Sequence, residues 1–269
     1  MWGYLTLPPI QRGLAALLMA GISFPLIGVF VVRMNLITMR FMLMHGALLG
    51  GALALALGIA PMLGGIGINL LLIVILIVLT QRSELSAGYL VTFFMVLSVA
   101  LAVIVIYKAG VPAKDALSIL WGNIYAVTER ELLIHGLLSA GILLGILTAR
   151  RPLTAVLFHP EIAASAGVRA ETYRRLILVS TGLTIALAMR LIGALLLDSL
   201  ILLPAVSALL IAGSTGGMFL FSSLFGLTAS VCGFLLSLAL DIPASAGVTL
   251  TSALIFVILL GVQRMRRRS

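Results

Sequence analysis

Residues 33–58 read RMNLITMRFMLMHGALLGGALALALG, and this stretch decides the fold. Two arginines, Arg33 and Arg40, precede an apolar run in which His45 is the one ionisable side chain. Four small residues follow the histidine at intervals of four: Gly46, Gly50, Ala54 and Gly58. On a helix they would share one face, along which another backbone can approach closely. The stretch therefore predicts an apolar packing helix that carries an imidazole beside its contact face.

The composition places this helix in a membrane. Of the 269 residues, 62% are hydrophobic and 9% are charged, and the mean hydropathy is +1.28. A water-soluble domain carries about 25% charged residues, so this chain lacks the polar residues to cover a globule in water. Apolar runs of about 20 residues recur, which favours helices over the short alternating strands of a β-barrel. The predicted fold class is an all-α integral membrane protein in the lipid bilayer.

We predict a polytopic bundle of about nine transmembrane helices within one domain over 1–269. Residues 1–12, with Pro8 and Pro9, read as a lead that does not form a long helix. Only Arg190 divides 173–212, so eight crossings with one broken helix is the alternative. The predicted spans are 13–32, 41–60, 64–81, 86–107, 131–149, 173–189, 191–212, 217–240 and 246–263.

The basic residues predict the orientation. With the carboxyl terminus in the cytoplasm and nine spans, twelve arginines fall on the inner side: Arg33, Arg40, Arg82, Arg150, Arg151, Arg169, Arg174, Arg175, Arg264, Arg266, Arg267 and Arg268. Five basic residues fall outside: Arg12, Lys108, Lys114, Arg130 and Arg190. This asymmetry fits the positive-inside rule. The net charge of +9 therefore reflects topology, and we expect no nucleic-acid partner.

Two ionisable residues inside predicted spans are candidate ligands for a metal ion, His45 and Asp198. Asp198 lies eight residues after Arg190, about 12 Å along a helix, and Pro204 is expected to break that helix. Imidazole and carboxylate groups suit Zn, Fe or Mn. The alternatives are a helix–helix hydrogen bond for His45 and pairing with Arg190 or a serine for Asp198. The methionines near His45 read as adaptable core residues.

The inner connection, 150–175, reads as a docking element for a cytoplasmic protein. Pro160 and Glu161 are typical of a helix start, and Ala163 and Gly167 would share a small-residue face. The alternative is an interfacial helix on anionic lipid. The outer connection, 108–130, reads as a plain connector that ends in a capping box at Thr128 and Glu131.

No motif for soluble chemistry is present. The sequence has no Walker A loop and no HExxH motif, so we expect neither ATP binding nor catalysis by this chain alone, and no permanently bound cofactor.

Four segments together resemble the membrane permeases of bacterial (or archaeal) ABC importers for zinc, manganese and iron. They are RM at 33–34 with HGALLG at 45–50; GNIYAV at 122–127 with EL at 131–132; FHPEIAASAG at 158–167; and IGALL at 192–196 with LPA at 203–205 and DIPA at 241–244.

The resemblance implies a homodimeric permease in the cell or inner membrane. A dimer of cytoplasmic ATPase subunits would dock at a coupling helix, an extracytoplasmic binding protein would deliver a divalent metal ion, and transport would proceed by alternating access. The implied coupling residues are Phe158, His159, Pro160, Glu161, Ala163 and Gly167.

Three positions depart from the family pattern. Phe41 stands where zinc and manganese members usually carry Asp, one turn before the histidine. Asp198 stands where a small or hydroxyl residue is usual, and His159 where Asp is usual. A carboxylate from another helix could compensate for Phe41. The alternative cargo is a metal chelate or another small solute. A secondary transporter is a further alternative, which would show inverted repeats.

Overall fold

The computed structural model describes residues 7–82, 85–110 and 124–266, apart from the side chains of Arg190, Leu191 and Arg266. Its helices are α1 (Pro8–Arg33), α2 (Ile37–Ala56), α3 (Pro61–Arg82), α4 (Ala87–Lys108), α5 (Glu129–Thr148), α6 (Arg150–Phe158), α7 (Pro160–Ser165), α8 (Ala170–Ile192), α9 (Ala194–Ile211), α10 (Thr215–Leu240) and α11 (Ala244–Arg266), with a 3-10 turn at Ile124–Ala126.

The predicted all-α membrane fold is confirmed. In the described part of the chain, eight helices are long and apolar enough to cross a bilayer: α1–α5 and α9–α11. Helix α8 has 23 residues, which is also enough for a crossing. It corresponds to the predicted span 173–189 and would supply the ninth.

Helix α1 begins at Pro8, five residues before the predicted span, so the expected non-helical lead is wrong for the described residues 8–12. The two prolines occupy the first positions of the helix. There the missing N–H group would have no intrahelical partner in any case, so proline is tolerated.

The described chain divides into two compact units. Of the described residues, one unit contains 7–34, 124–175 and 195–266, and the other contains 35–82, 85–110 and 176–194. Each unit is built on one buried helix. In both α1 and α2, 72% of the most apolar window is buried, compared with 17% in α5, which leaves apolar side chains facing outward as expected for lipid contact.

In the first unit, α1 crosses α10 at a glycine pair. Pro25 cannot donate a hydrogen bond to the carbonyl of Gly21, four residues earlier. Gly226 of α10 packs directly against that carbonyl, so close that a Cβ atom at residue 226 would overlap it. Beside this contact, the hydroxyl of Ser223 donates a hydrogen bond to the carbonyl of Ile22 at 2.6 Å. The backbone contact joins the two helices over this region.

In the second unit, the predicted ridge on α2 is the surface that packs against α3. Gly50 lies against the backbone of Gly64, and a Cβ atom at Gly46 would meet the side chains of Leu72 and Asn69. Gly58 differs from the prediction, because α2 ends at Ala56 and Gly58 lies beyond the helix.

The capping box predicted at Thr128 and Glu131 is confirmed. The backbone N–H of Glu131 donates to the hydroxyl of Thr128 at 3.3 Å, and the backbone N–H of Thr128 donates to the carboxylate of Glu131 at 3.0 Å.

The predicted helix break at Pro204 is wrong, because α9 continues through this buried proline. The helical run is interrupted instead at Gly193, which has φ +81° and separates α8 from α9.

Gly50→Ala should destabilise the protein, because the added methyl group meets the backbone of Gly64. Overpacking costs about 1–3 kcal/mol, which outweighs the gain of about 1 kcal/mol in helix propensity. Gly141→Ala in α5 is the matched control, since nothing lies within 4 Å of its added Cβ. Thermal unfolding of the detergent-solubilised protein should show a lower Tm for Gly50→Ala only. Equal Tm values for the two variants would contradict the close packing of α2 on α3.

Candidate functional site: an intramembrane histidine and a segment between spans

His45 lies on α2, eight residues after Ile37, which is about 12 Å along the helix. Its side chain is half-buried, and Nδ1 lies 2.7 Å from the carbonyl oxygen of Phe41. A carbonyl can only accept a hydrogen bond, so Nδ1 carries the proton. In the neutral ring the lone pair is then on Nε2, the arrangement found in many metal-binding histidines.

The helix that carries His45 is held in place on its small-residue face. Next to His45, Gly46 packs against Asn69 of α3. The buried amide of Asn69 donates a hydrogen bond to the carbonyl of Gly182 in α8 at 3.2 Å. This bond joins α3 to α8, and the packing of Gly46 on Asn69 adds α2, so three helices of the unit meet next to the imidazole. Sequence reasoning missed Asn69, although an amide within the apolar run of α3 is a detectable signal.

An aromatic residue, Phe41, lies one turn before His45. The guanidinium carbon of Arg40 lies 4.3 Å from the centre of that ring, and Arg40 is 1% exposed. The predicted span begins at residue 41, after Arg40, whereas α2 begins at Ile37 and contains Arg40 in its first turn. Met42 and Met44 are buried, in agreement with their interpretation as core residues.

Asp198 lies in the second turn of α9 and is half-buried, with Oδ1 fully enclosed. It belongs to the first compact unit, whereas His45 belongs to the second. The pairing of the two as ligands therefore stays a prediction. Arg190, its alternative partner, has a side chain outside the described residues.

The described ranges 7–82, 85–110 and 124–266 contain no cluster of three or more His, Cys, Asp or Glu side chains that could hold a metal ion. Within these ranges no closed, resident metal site is preformed. Any ion that binds at His45 would have to complete its coordination with other groups or with water.

A second buried histidine was not selected from the sequence. His135 of α5 is fully buried, and its ring lies edge-to-face with Phe24 of α1, with 5.2 Å between ring centres. One turn further along, the hydroxyls of Ser139 and Ser23 are hydrogen-bonded at 3.0 Å. These groups form a polar strip between α1 and α5. A histidine and a serine four residues apart on an apolar helix are the sequence signal for it.

The segment predicted to be a coupling element folds into two short helices. Pro160 is the first residue of α7, and Glu161 lies in its first turn, as predicted. His159 occupies the N-cap position, but its side chain makes no capping hydrogen bond. Phe158 and Ile162 are 55% and 63% exposed.

The predicted small-residue face of α7 needs correction. Ala163 is buried, and Gly167 lies beyond the helix, which ends at Ser165. Gly167 has φ +83°, and its N–H donates to the carbonyl of Ala164 while that of Val168 donates to the carbonyl of Ala163. This is a Schellman motif, in which glycine is favoured at the left-handed position. Gly167 therefore serves to end the helix.

Beside α7 lies an open cleft of about 430 Å³ between this helix and the start of α8. Its rim carries Glu161, Arg169 and Glu171, and Glu171 forms an ion pair with Arg175 at 3.0 Å. An exposed apolar pair beside a charged open cleft is a surface suited to contact with another protein.

The fold and these features define a class: a multi-span helical membrane protein with an ionisable side chain inside a span and a structured segment between spans. Comparison with known proteins identifies the family. The ABC 3 transport family matches residues 6–263. The chain belongs to this family, and the resemblance drawn from the four sequence segments is confirmed.

Two relatives and one solved structure illustrate the similarity. The manganese import system permease protein ScaB of Streptococcus parasanguinis is 31% identical over 249 residues, which cover 93% of this chain and 89% of the relative. The high-affinity zinc uptake system membrane protein ZnuB of Haemophilus influenzae is 27% identical over 91% of this chain and 94% of its own length. The structure of PsaBC from Streptococcus pneumoniae in complex with Fab matches with a TM-score of 0.84 at 29% identity, over 96% of this chain and 92% of that one.

The tautomer of His45 can be tested directly. In protein labelled with ¹⁵N-histidine, Nδ1 of His45 should show the chemical shift of a protonated nitrogen and Nε2 that of an unprotonated one, because the Phe41 carbonyl holds the Nδ1 proton. His45→Gln identifies the signals by their loss. The reverse pattern, with a protonated Nε2 and a bare Nδ1, would refute the assignment.

Proposed function

We propose that this chain is the membrane-spanning permease of an ABC importer that moves a divalent transition metal ion into the cytoplasm by alternating access, with energy from a separate ATPase. The observation that carries the proposal is the similarity over more than nine-tenths of the chain to a permease named for manganese import and a membrane protein named for zinc uptake. Iron is the third metal that the sequence resemblance implies. Manganese and zinc are the first cargoes to test.

His45 is the proposed pathway ligand. Its Nδ1 is occupied by the Phe41 carbonyl, so Nε2 can bind an ion without a change of tautomer. Asp198 is the proposed carboxylate partner, and water would complete the coordination sphere. Nitrogen and oxygen ligands suit Mn²⁺ and Zn²⁺. A few ligands per subunit also suit a cargo that must leave again.

The proposed assembly is a permease homodimer with two cytoplasmic ATPase subunits and an extracytoplasmic metal-binding protein. The ATPase would dock at residues 158–167, where the exposed Phe158 and Ile162 lie close to the charged cleft. The absence of a Walker A motif from the sequence fits a chain that takes its energy from a partner. The chain itself is therefore proposed to be a transport subunit without enzymatic activity.

The proposed location is the cell or inner membrane of a bacterium or archaeon, with the carboxyl terminus in the cytoplasm. The basic residues support this orientation through the positive-inside rule. The same orientation puts the coupling segment on the side where ATP is available. Residues 1–269 are proposed to form a single permease domain that contains the transport pathway.

His45→Ala should abolish metal uptake into proteoliposomes that contain the permease, the ATPase and the binding protein, because the Nε2 ligand is lost. ATPase binding should be unchanged, since His45 lies inside a membrane-spanning helix and the proposed docking residues lie between two such helices. Thr38→Ala, an exposed polar residue on the same helix, is the matched control.

Uptake of Mn²⁺ and Zn²⁺ by His45→Ala at the wild-type rate would exclude the ligand role. Uptake of a metal chelate, with no uptake of the free ions by the wild-type assembly, would replace the proposed cargo by the alternative one. Uptake without the ATPase would favour a secondary transporter.

Gly167→Val should weaken binding of the ATPase subunit, whereas Gly167→Asn should bind nearly as the wild type. A β-branched residue in the left-handed conformation costs about 1–2 kcal/mol, and asparagine tolerates that conformation. The expected change in Kd for Gly167→Val is roughly tenfold, measured by titration of the purified permease with the ATPase. Wild-type Kd values for both variants would show that the ATPase does not dock on this turn.

A further inference from the structure

Arg33 is the last residue of α1 and contacts two elements that the proposed function leaves unconnected. The carbon of its guanidinium group lies 5.7 Å from the centre of the Phe158 ring, at the end of α6. Its Nε lies 3.1 Å from Sδ of Met218, in the first turn of α10. One side chain therefore bridges the proposed docking segment and the ends of two spans.

The other end of α6 also touches α10. The guanidinium of Arg150, the first residue of α6, lies over Gly216, with Nη2 2.6 Å from the place that a Cβ atom would occupy. The first turn of α10 is therefore contacted by Arg150 from the start of α6 and, through Arg33, linked to Phe158 at the end of α6.

The two spans reached by Arg33 are joined to each other deeper in the unit. Gly21 of α1 and Gly226 of α10 are in backbone contact, and Ser223 of α10 donates a hydrogen bond to α1. Such backbone contacts leave little room for sliding, because packed interfaces resist gradual deformation. A push at the ends of α1 and α10 should therefore move the two helices together.

We propose that Arg33 is a positioning residue that transmits movement of the coupling segment to the α1–α10 pair during the transport cycle. The proposal rests on the proposed function, in which the ATPase acts on residues 158–167. The flat guanidinium suits the role, because it can stack on an aromatic ring while its N–H groups remain available, which the ammonium group of lysine cannot reproduce. Arg33 itself is exposed, so its contacts add little to folding stability.

The test measures metal ions transported per ATP hydrolysed in proteoliposomes with the full assembly. Arg33→Ala and Arg33→Lys should both lower this ratio at least threefold, while the assembly forms and still hydrolyses ATP. Arg82→Ala is the matched control, since Arg82 is likewise the exposed final residue of an apolar helix, α3, and its loss should leave the ratio unchanged.

Variants of Phe158 test the contact itself. Phe158→Tyr keeps the ring and should lower the ratio less than Phe158→Leu, which removes the ring. The double variant Arg33→Ala, Phe158→Leu should be no worse than the more affected single variant, because both remove the same contact.

Three results would overturn the inference: a wild-type ratio for Arg33→Ala, a wild-type ratio for Arg33→Lys, or additive losses in the double variant. A wild-type ratio for Arg33→Lys would mean that only the positive charge is required. If Arg33→Ala fails to assemble, the ratios of Arg33→Lys, Phe158→Tyr and Phe158→Leu test the role of Arg33 instead. A wild-type assembly that moves no metal would refute the proposed function. A working wild type with an unaffected Arg33→Ala refutes only the role of Arg33.

Discussion

The close approach of helix backbones at small residues is the constraint on which both units depend. Within a bilayer, lipid tails are as apolar as leucine, so the hydrophobic effect gives helices little reason to associate. Van der Waals contact must replace it, and the contact is strongest where no side chain intervenes. Gly21 against Gly226 and Gly50 against Gly64 provide such contacts. Around them α1 and α2 become the buried helices of their units, and the remaining helices turn apolar side chains to the lipid.

The outline of the fold could be predicted from the sequence because hydropathy, glycine spacing and capping residues act locally. The ridge at Gly46, Gly50 and Ala54 correctly indicated the packing face of α2, and the capping box correctly marked the start of α5. Two predictions based on proline were wrong. Pro8 begins a helix instead of preceding it, and Pro204 lies inside one. At Pro8 the missing N–H would have no intrahelical partner, so the helix can begin there, whereas at Pro204 the helix continues although proline cannot donate the usual hydrogen bond to the residue four positions earlier.

The candidate site could be predicted only in part, for a similar reason. His45 and the turn at Gly167 are visible as local departures from an apolar or helical pattern. Asn69 supports the helix of His45 through a hydrogen bond to Gly182, 113 residues away in the chain, and no local pattern encodes such a partner. The role of Gly167 was also misread, because spacing alone does not distinguish a residue on a helix face from the residue that ends the helix. The family resemblance supplied functional roles, and the structure supplied the contacts that make some of them physically reasonable.

The hydrogen bond from His45 to the Phe41 carbonyl has a consequence for how long an ion would stay. With Nδ1 engaged by a carbonyl and an aromatic ring one turn away at residue 41, the proposed site would take one imidazole ligand from this helix. A structural zinc site has four protein ligands. If His45 and Asp198 bind the cargo as proposed, fewer protein bonds must be broken for the ion to depart, and its dwell time should be short. Such a helix is suited to a site that passes its ion on, and less suited to one that retains it.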